Sequence, residues 1–287
     1  MRNKKIVITK ASGEIVPFSS QKLINSLVRA GATKKAAAEI ARQVAGKIFE
    51  GIRTKKIYEM AFSLLRGHGR HLAARYHLKG GIMELGPSGF PFEKYVGEIL
   101  RHMGYDVKIG QTIQGHCVTH EVDIVAEKDE QHFLVECKFH NSQGITCDVK
   151  IPLYIHARFM DIELQWEQIP GHEKKFHQSW LVTNTRFSPD ALQYGTCSGL
   201  HLISWDYPRA GSLKELVDSQ GLYPITCLTS LTKNEKRILL DNRIVLSKEL
   251  CDNPNALVKA GITVSRIKTI LDESNLLCRK QEKINLR

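Results

Sequence analysis

The stretch HFLVECKF at residues 132–139 sets Glu136 and Lys138 two positions apart inside an otherwise apolar run. Alternate side chains of a strand share a face, so this acid and this amine would stand side by side while Cys137 points the other way. One segment earlier, EVDIVA carries Asp123 between apolar neighbours. Two such strands laid together can bring two hard carboxylate oxygens to one point, the donor set that an octahedral Mg²⁺ takes when it also keeps waters and a phosphate oxygen. A lysine beside that ion can orient an attacking water and offset charge on a phosphoryl transition state. The chemistry spelled by the three residues is cleavage of a phosphodiester. The residue types alone fit equally a structural ion pair or the wet face of an edge strand.

The elements that must position these residues follow from the pattern around them. PFEKYVGEILRHMGYDV places Phe92, Tyr95, Val96, Ile99, Leu100 and Met103 on one helical face, with Pro91 suited to the first turn. HEVDIVAEK and HFLVECKF read as strands joined by the turn-like DE, and a long helix is expected over roughly 149–166. SWLVTN reads as a strand, SPDALQYGT as a helix with Ser188 as N-cap, and LHLISW as a further strand. This order predicts an α/β sandwich with a mixed central sheet.

On either side the pattern changes. Residues 6–18 read as two short strands around ASGE, with Gly13 in the turn. Helices are expected after a Ser19 or Ser20 cap, at about 34–50, from a Thr54 cap over about 55–66, and near 69–79. Past residue 228, TKNE is a capping box formed by Thr232 and Glu235, and short helices continue to about 278. The expected division is 1–85, 86–210 and 211–287.

Charge follows the same division. Residues 1–85 hold 17 Lys and Arg against 5 Asp and Glu, residues 86–210 hold 11 against 16, and residues 211–287 hold 13 against 9. An acidic centre between basic flanks suits a metal-using site carried by polyanion-binding ends. The seven cysteines are odd in number and contain no Cys-x-x-Cys pair, which argues for reduced thiols and against a disulfide framework. A zinc site drawn from His116, Cys117, His120, Cys137, His140 and Cys147 matches no standard ligand spacing. No run of 18 uncharged apolar residues occurs and MRNKKIVITK is no signal peptide, so the expectation is a cytoplasmic protein with no membrane span.

Taken together, PFEKYVGEILRHMGYDV, HEVDIVA, VECKF, WLVTNTRFSPDALQYG and LHLISW resemble the PD-(D/E)xK nuclease superfamily, above all its Mrr-like restriction endonuclease branch, over roughly residues 88–207. The resemblance implies a restriction-endonuclease-like fold and a DNA endonuclease using Mg²⁺ or Mn²⁺. It makes Asp123 and Glu136 metal ligands, Lys138 the catalytic lysine, and Glu93 the acid that many members add from the opening helix. Val122 stands where other branches have proline. The N-terminal IVITKASGEIVPFSSQKLINSLVRAG and GIRTKKIYEMAFSLLRGHGRHLAARYHLK resemble the ATP-cone, a nucleotide-binding regulatory module, over about residues 4–80. That resemblance implies ATP or dATP as effector, with Lys10, Lys22 and Thr54 as contacts and Gly13 shaping the turn; Ala11 replaces the expected arginine. The C-terminal region resembles a helix-hairpin-helix element, with Gly261 kept and Thr263 in place of a second glycine, and implies Lys259, Arg266 and Lys268 as contacts to DNA.

The reading is a metal-dependent DNA endonuclease tuned by an adenine nucleotide, with a homodimer favoured if both strands are cut. The alternatives are a non-catalytic nucleotide-sensing DNA-binding regulator, and a nuclease for branched junctions or RNA.

Overall fold

The computed structural model describes residues 6–142, 144–170 and 177–279. In chain order the elements begin with β1 (Val7–Thr9), β2 (Ile15–Pro17), α1 (Ser20–Arg29), α2 (Lys34–Ala45), β3 (Ile52–Arg53), α3 (Thr54–His68), α4 (Arg70–Tyr76) and α5 (Leu78–Met83). The centre holds α6 (Phe90–His102), β4 (Asp106–Gln114), β5 (Thr119–Lys128), β6 (Gln131–Lys138), β7 (Thr146–Cys147), α7 (Lys150–Trp166), β8 (His177–Thr183), β9 (Arg186–Phe187), α8 (Pro189–Cys197), β10 (His201–Ile203) and α9 (Leu213–Gln220). The last helices are α10 (Lys233–Asp241), α11 (Ser247–Asp252), α12 (Asn255–Lys259) and α13 (Val264–Cys278). The chain divides into two compact units, one formed by Met1–Gly81 with Tyr223–Arg287 and the other by Ile82–Leu222. The first and last stretches of the sequence are therefore packed as one body.

In the second unit a five-stranded sheet runs β10-β8-β6-β5-β4. Strands β4, β5 and β6 are antiparallel neighbours, whereas β8 and β10 run parallel to β6, so the sheet is mixed. Asp129 and Glu130 take positive φ of 51° and 60° in the two-residue link from β5 to β6, the backbone twist a tight hairpin of right-twisted strands requires. Helix α6 buries Phe92, Tyr95, Val96, Ile99 and Leu100. Each such burial is worth roughly 1.5–3 kcal/mol. The expected apolar stripe holds except that Met103 falls at the C-cap. Helix α7 buries Ile155 and Ile162, the latter packing on Val122 and Leu134 of the sheet. Ser188 caps α8 by accepting from the Ala191 N–H, with Pro189 at the start. The two-residue strands β7 and β9 pair in a small separate sheet that the sequence pattern does not announce.

The first unit sets a three-stranded sheet, ordered β2-β1-β3, beside its helices. Ser19 caps α1 and Thr33 caps α2. Thr54 is the first residue of α3 and not its cap; that place falls to Arg53, which makes no side-chain cap hydrogen bond. The same unit contains the capping box of Thr232 and Glu235. Arg75 of α4 donates to the carbonyls of Leu276 and Arg279, both at 2.9 Å, satisfying acceptors that the end of α13 would leave bare. Glu273 of α13 is only 3 % exposed and accepts from the Thr229 N–H, the Thr229 hydroxyl and the Ser230 N–H. The Arg75 hydrogen bonds tie the early and late stretches of the sequence together within one unit, and those to Glu273 brace the late stretch on itself.

Candidate active site

Asp123 lies on β5 and Glu136 on β6, one position past the last paired rung, Ile124 against Val135. Here the ladder gives way to side chains. The Cys137 N–H donates to Asp123 Oδ2 at 2.7 Å, and the Asp123 N–H in turn serves the Glu136 carboxylate. Each strand thus fixes the acid of the other. Lys138 follows two residues on and is exposed, near enough to Asp123 that its charge favours the ionised carboxylate. Cys137 is half-buried; burial first, and then the charges of Asp123, Glu93 and Glu136, push its thiol pKa well up, which leaves it poorly suited to ligate a metal.

Glu93 stands in the first turn of α6, with Oε1 at 3.0 Å from where a Cβ on Gly89 would sit. Burial raises its carboxyl to about 7, and the charges of Asp123 and Glu121 push the same way. Glu136 is likewise raised to about 7, by burial first and then by Asp123. Asp123 is raised by burial and restrained by the Cys137 N–H and by Arg158. The structure therefore brings Asp123, Glu136 and Glu93 into one electrostatic neighbourhood, a set of desolvated acids that repel one another. Among the described residues, no group of three or more His, Cys, Asp or Glu side chains is drawn tightly enough to hold a metal ion as it stands.

The cation that meets these acids is one the sequence pattern did not single out. Arg158 of α7 places Nη1 2.9 Å from Glu136 Oε2, with each side chain only 14 % exposed, and donates through Nη2 to the Glu121 carbonyl. Its guanidinium lies 5.4 Å from the centre of the Tyr154 ring. The available signal was an arginine amid the mostly apolar positions of an expected helix. At the turn between β4 and β5, Asp161 of α7 accepts from His120 Nε2 at 2.7 Å and from the Cys117 N–H at 2.8 Å. His120 and Cys117 are thus bound to one carboxylate, which fastens the hairpin to α7.

In the other unit, parallel pairing of Thr9 with Arg53 sets Thr54 beside the end of β1, where Lys10 follows. Gly13 has φ +85° in the turn to β2, a conformation that would strain a side chain. Lys22 is exposed in the first turn of α1, where its N–H bonds to Ser19 Oγ. Lys10 Nζ is engaged by Glu14 at 2.8 Å.

Gly261, with φ +77°, makes the turn between α12 and α13. Lys259 is exposed just before it. Arg266 is half-buried and donates to both oxygens of Glu235 and at 2.7 Å to the Ser230 carbonyl, and Lys268 pairs with Asp272 at 2.7 Å. These three cations are thus held in different ways around the turn, one open and two paired.

Residues 6–78 match the ATP cone domain, residues 86–150 a restriction endonuclease domain, and residues 223–278 the AF1548-like C-terminal domain. An uncharacterized protein of Archaeoglobus fulgidus is 35 % identical over 171 residues, which span 60 % of this chain and 82 % of that protein. The crystal structure of AF1548, a protein of unknown function, superposes with a TM-score of 0.55 at 31 % identity, covering 67 % of this chain and 98 % of that one. Can2 from Sulfobacillus thermosulfidooxidans, solved with cyclic tetra-adenylate, is 12 % identical with a TM-score of 0.30 over 66 % of this chain and 60 % of its own, too distant a likeness to carry an argument.

Proposed function

This chain belongs to the AF1548-like family, and we propose that it is a divalent-metal-dependent DNA endonuclease whose activity responds to ATP or dATP held by its N-terminal domain. The observation that carries the reading is the meeting of Asp123, Glu136 and Glu93, two of them raised to about 7 by burial and mutual repulsion, beside Lys138 in a restriction-endonuclease-like domain. Acids pressed together in this way are stabilised by a hard cation, and their oxygens are the donors that Mg²⁺ or Mn²⁺ prefers. Asp123 and Glu136 would hold the ion, with Glu93 as a further carboxylate of the site. The ion, when bound, supplies Lewis acidity and a bound water of lowered pKa.

The chain's own residues do the rest. Lys138, exposed at the end of β6, holds a phosphate oxygen and orients the water that attacks phosphorus. The Cys137 N–H keeps Asp123 aimed, so that the carboxylate pair is preorganised before substrate arrives. One site cuts one strand, so breaking both would take two chains or two visits. Lys10, Gly13, Lys22 and Thr54 form the proposed phosphate cradle, supported by the α3 N-terminus, where no side-chain cap takes up the free N–H groups. Lys259, Arg266 and Lys268 are proposed contacts to the duplex backbone, the last two after exchanging their present partners. No helix among the described residues is long and apolar enough to cross a membrane.

The test is cleavage of plasmid DNA in Mg²⁺ or Mn²⁺, with and without ATP, by the parent, Asp123→Ala and Lys138→Ala. Cutting by the parent alone is the expected result. Equal cutting by all three would remove this active site from consideration, and salt-sensitive binding without cutting would make the protein a nucleotide-sensing regulator. Branched junctions and RNA in the same panel establish the substrate.

A further inference from the structure

We propose that Arg158 is a place-holding cation, one that gives up Glu136 when a divalent ion binds and then takes an oxygen of the scissile phosphate. The proposal rests on the metal-nuclease reading and deepens it by coupling entry of the ion to capture of the substrate.

The geometry distinguishes this role from simple structural pairing. Arg158 meets Glu136 where β5 and β6 stop pairing as backbone, so its guanidinium stands among the acids and not in the apolar layer below. Two of its contacts, the Glu136 carboxylate and the Glu121 carbonyl, belong to the mouth formed by those strands. The third, the ring of Tyr154, comes from its own helix and is 62 % exposed. A guanidinium resting on an exposed ring can pivot along that ring without losing the stacking, which leaves it a route from Glu136 toward bulk solvent and toward whatever docks there.

Charge gives the pivot its direction. Asp123, Glu136, Glu93 and Glu121 all act at this mouth; Arg158 partly balances Asp123 and Glu136, and Lys138 partly balances Asp123. A divalent ion placed between Asp123 and Glu136 would supply the missing charge and would repel Arg158 across a few ångströms. The displaced fork has five N–H donors in the geometry that pairs with phosphate oxygens. Before the ion arrives, Arg158 keeps the acids from driving one another apart; afterwards it is the group free to receive an anion. A purely structural ion pair would show no such exchange, and buried pairs are in any case weak contributors to stability.

The experiment is a titration of the metal-free full-length protein with Mn²⁺ by calorimetry, in the absence of nucleic acid, for the parent, Arg158→Gln, Arg158→Lys and Asp123→Asn. Alongside it, binding of a labelled short duplex in Ca²⁺ is followed by anisotropy across a salt series. Removing the guanidinium charge should tighten Mn²⁺ binding on the order of tenfold, within the range of coupled sites. It should also lower the slope of log affinity for duplex against log salt by about one, the loss of one phosphate contact. Arg158→Lys keeps the charge and should return Mn²⁺ affinity to near the parent value while recovering duplex binding only in part.

A folded Arg158→Gln with unchanged or weaker Mn²⁺ binding, or with an unchanged salt slope, overturns the proposal; if that variant does not fold, Arg158→Lys with weakened Mn²⁺ binding does the same. The two readings fail differently. A parent that binds no Mn²⁺, indistinguishable from Asp123→Asn, brings down the metal nuclease and this inference together. A parent that binds Mn²⁺ and cuts, with Arg158→Gln behaving identically, brings down the inference alone.

Discussion

The Cys137 N–H donates to Asp123 Oδ2 at 2.7 Å, so the backbone of one strand fixes the carboxylate of its neighbour just beyond their last paired rung. The acid is held by main chain, which has little freedom to relax, and the site's acids stay close despite their repulsion.

The carboxyls of Glu136 and Glu93 are raised from 4.5 to about 7. A group whose folded pKa lies above its unfolded value binds its proton more tightly when folded, so its contribution favours folding at low pH and is lost as pH climbs from 4.5 through 7. In chelator, Glu136→Gln should flatten the fall in Tm across that window relative to the parent, and Mg²⁺ should restore the parent's stability above it. Thermal melts at stepped pH check both, and a parent and variant with parallel pH profiles would contradict the assignment.

Lys138 is exposed and packs into no core. Lys138→Ala should leave the melting curve unchanged while lowering the rate of single-turnover cleavage by roughly 10²–10³-fold, as for loss of one preorganised stabilising donor. A loss of stability comparable to the loss of rate would place this lysine among the structural residues.

Asp161 is held down to about 2, chiefly by the hydrogen bond from His120 and then by the N–H of Cys117. A depressed carboxyl contributes stability above its ordinary value of 3.8, and that contribution is lost as pH falls from there toward 2. Asp161→Asn should accordingly melt at a lower temperature than the parent at neutral pH, with the difference shrinking in acid. Hydrogen exchange should show faster opening at residues 115–120 first, since that turn loses its anchor.

Lys10 is paired with Glu14 at 2.8 Å, both side chains well exposed. Glu14→Gln should free the lysine and tighten ATP binding by no more than about fivefold, the worth of an exposed ion pair. Lys10→Ala should weaken it. Calorimetric titration of each variant with ATP gives the answer, and a nucleotide affinity indifferent to both changes would exclude Lys10 from the cradle.

Much of this molecule is written in short-range pattern. Ser19, one of the two serines read as a cap, Ser188 and the Thr232–Glu235 box marked helix starts that the structure keeps. The α6 stripe and the DE link between β5 and β6 were legible for the same reason: periodicity, caps and turns depend on neighbours within a few residues. Thr54 shows the limit even there, because cap and first turn differ by a single position and Arg53 took the former.

The amino-acid sequence by itself therefore determined the main helices and strands of the centre, α6, β5, β6, α7, β8 and α8, and put Asp123 and Glu136 on neighbouring strands. Only the tertiary structure decided that Arg158, 22 residues beyond Glu136, would be the cation to meet it, that Asp161 would clasp the turn holding Cys117, and that residues from Tyr223 onward would pack with the first 81. Those outcomes depend on how a helix lies over a sheet and on which buried charges find partners. Such energies arise between segments distant in sequence, and no local pattern of residue types encodes them.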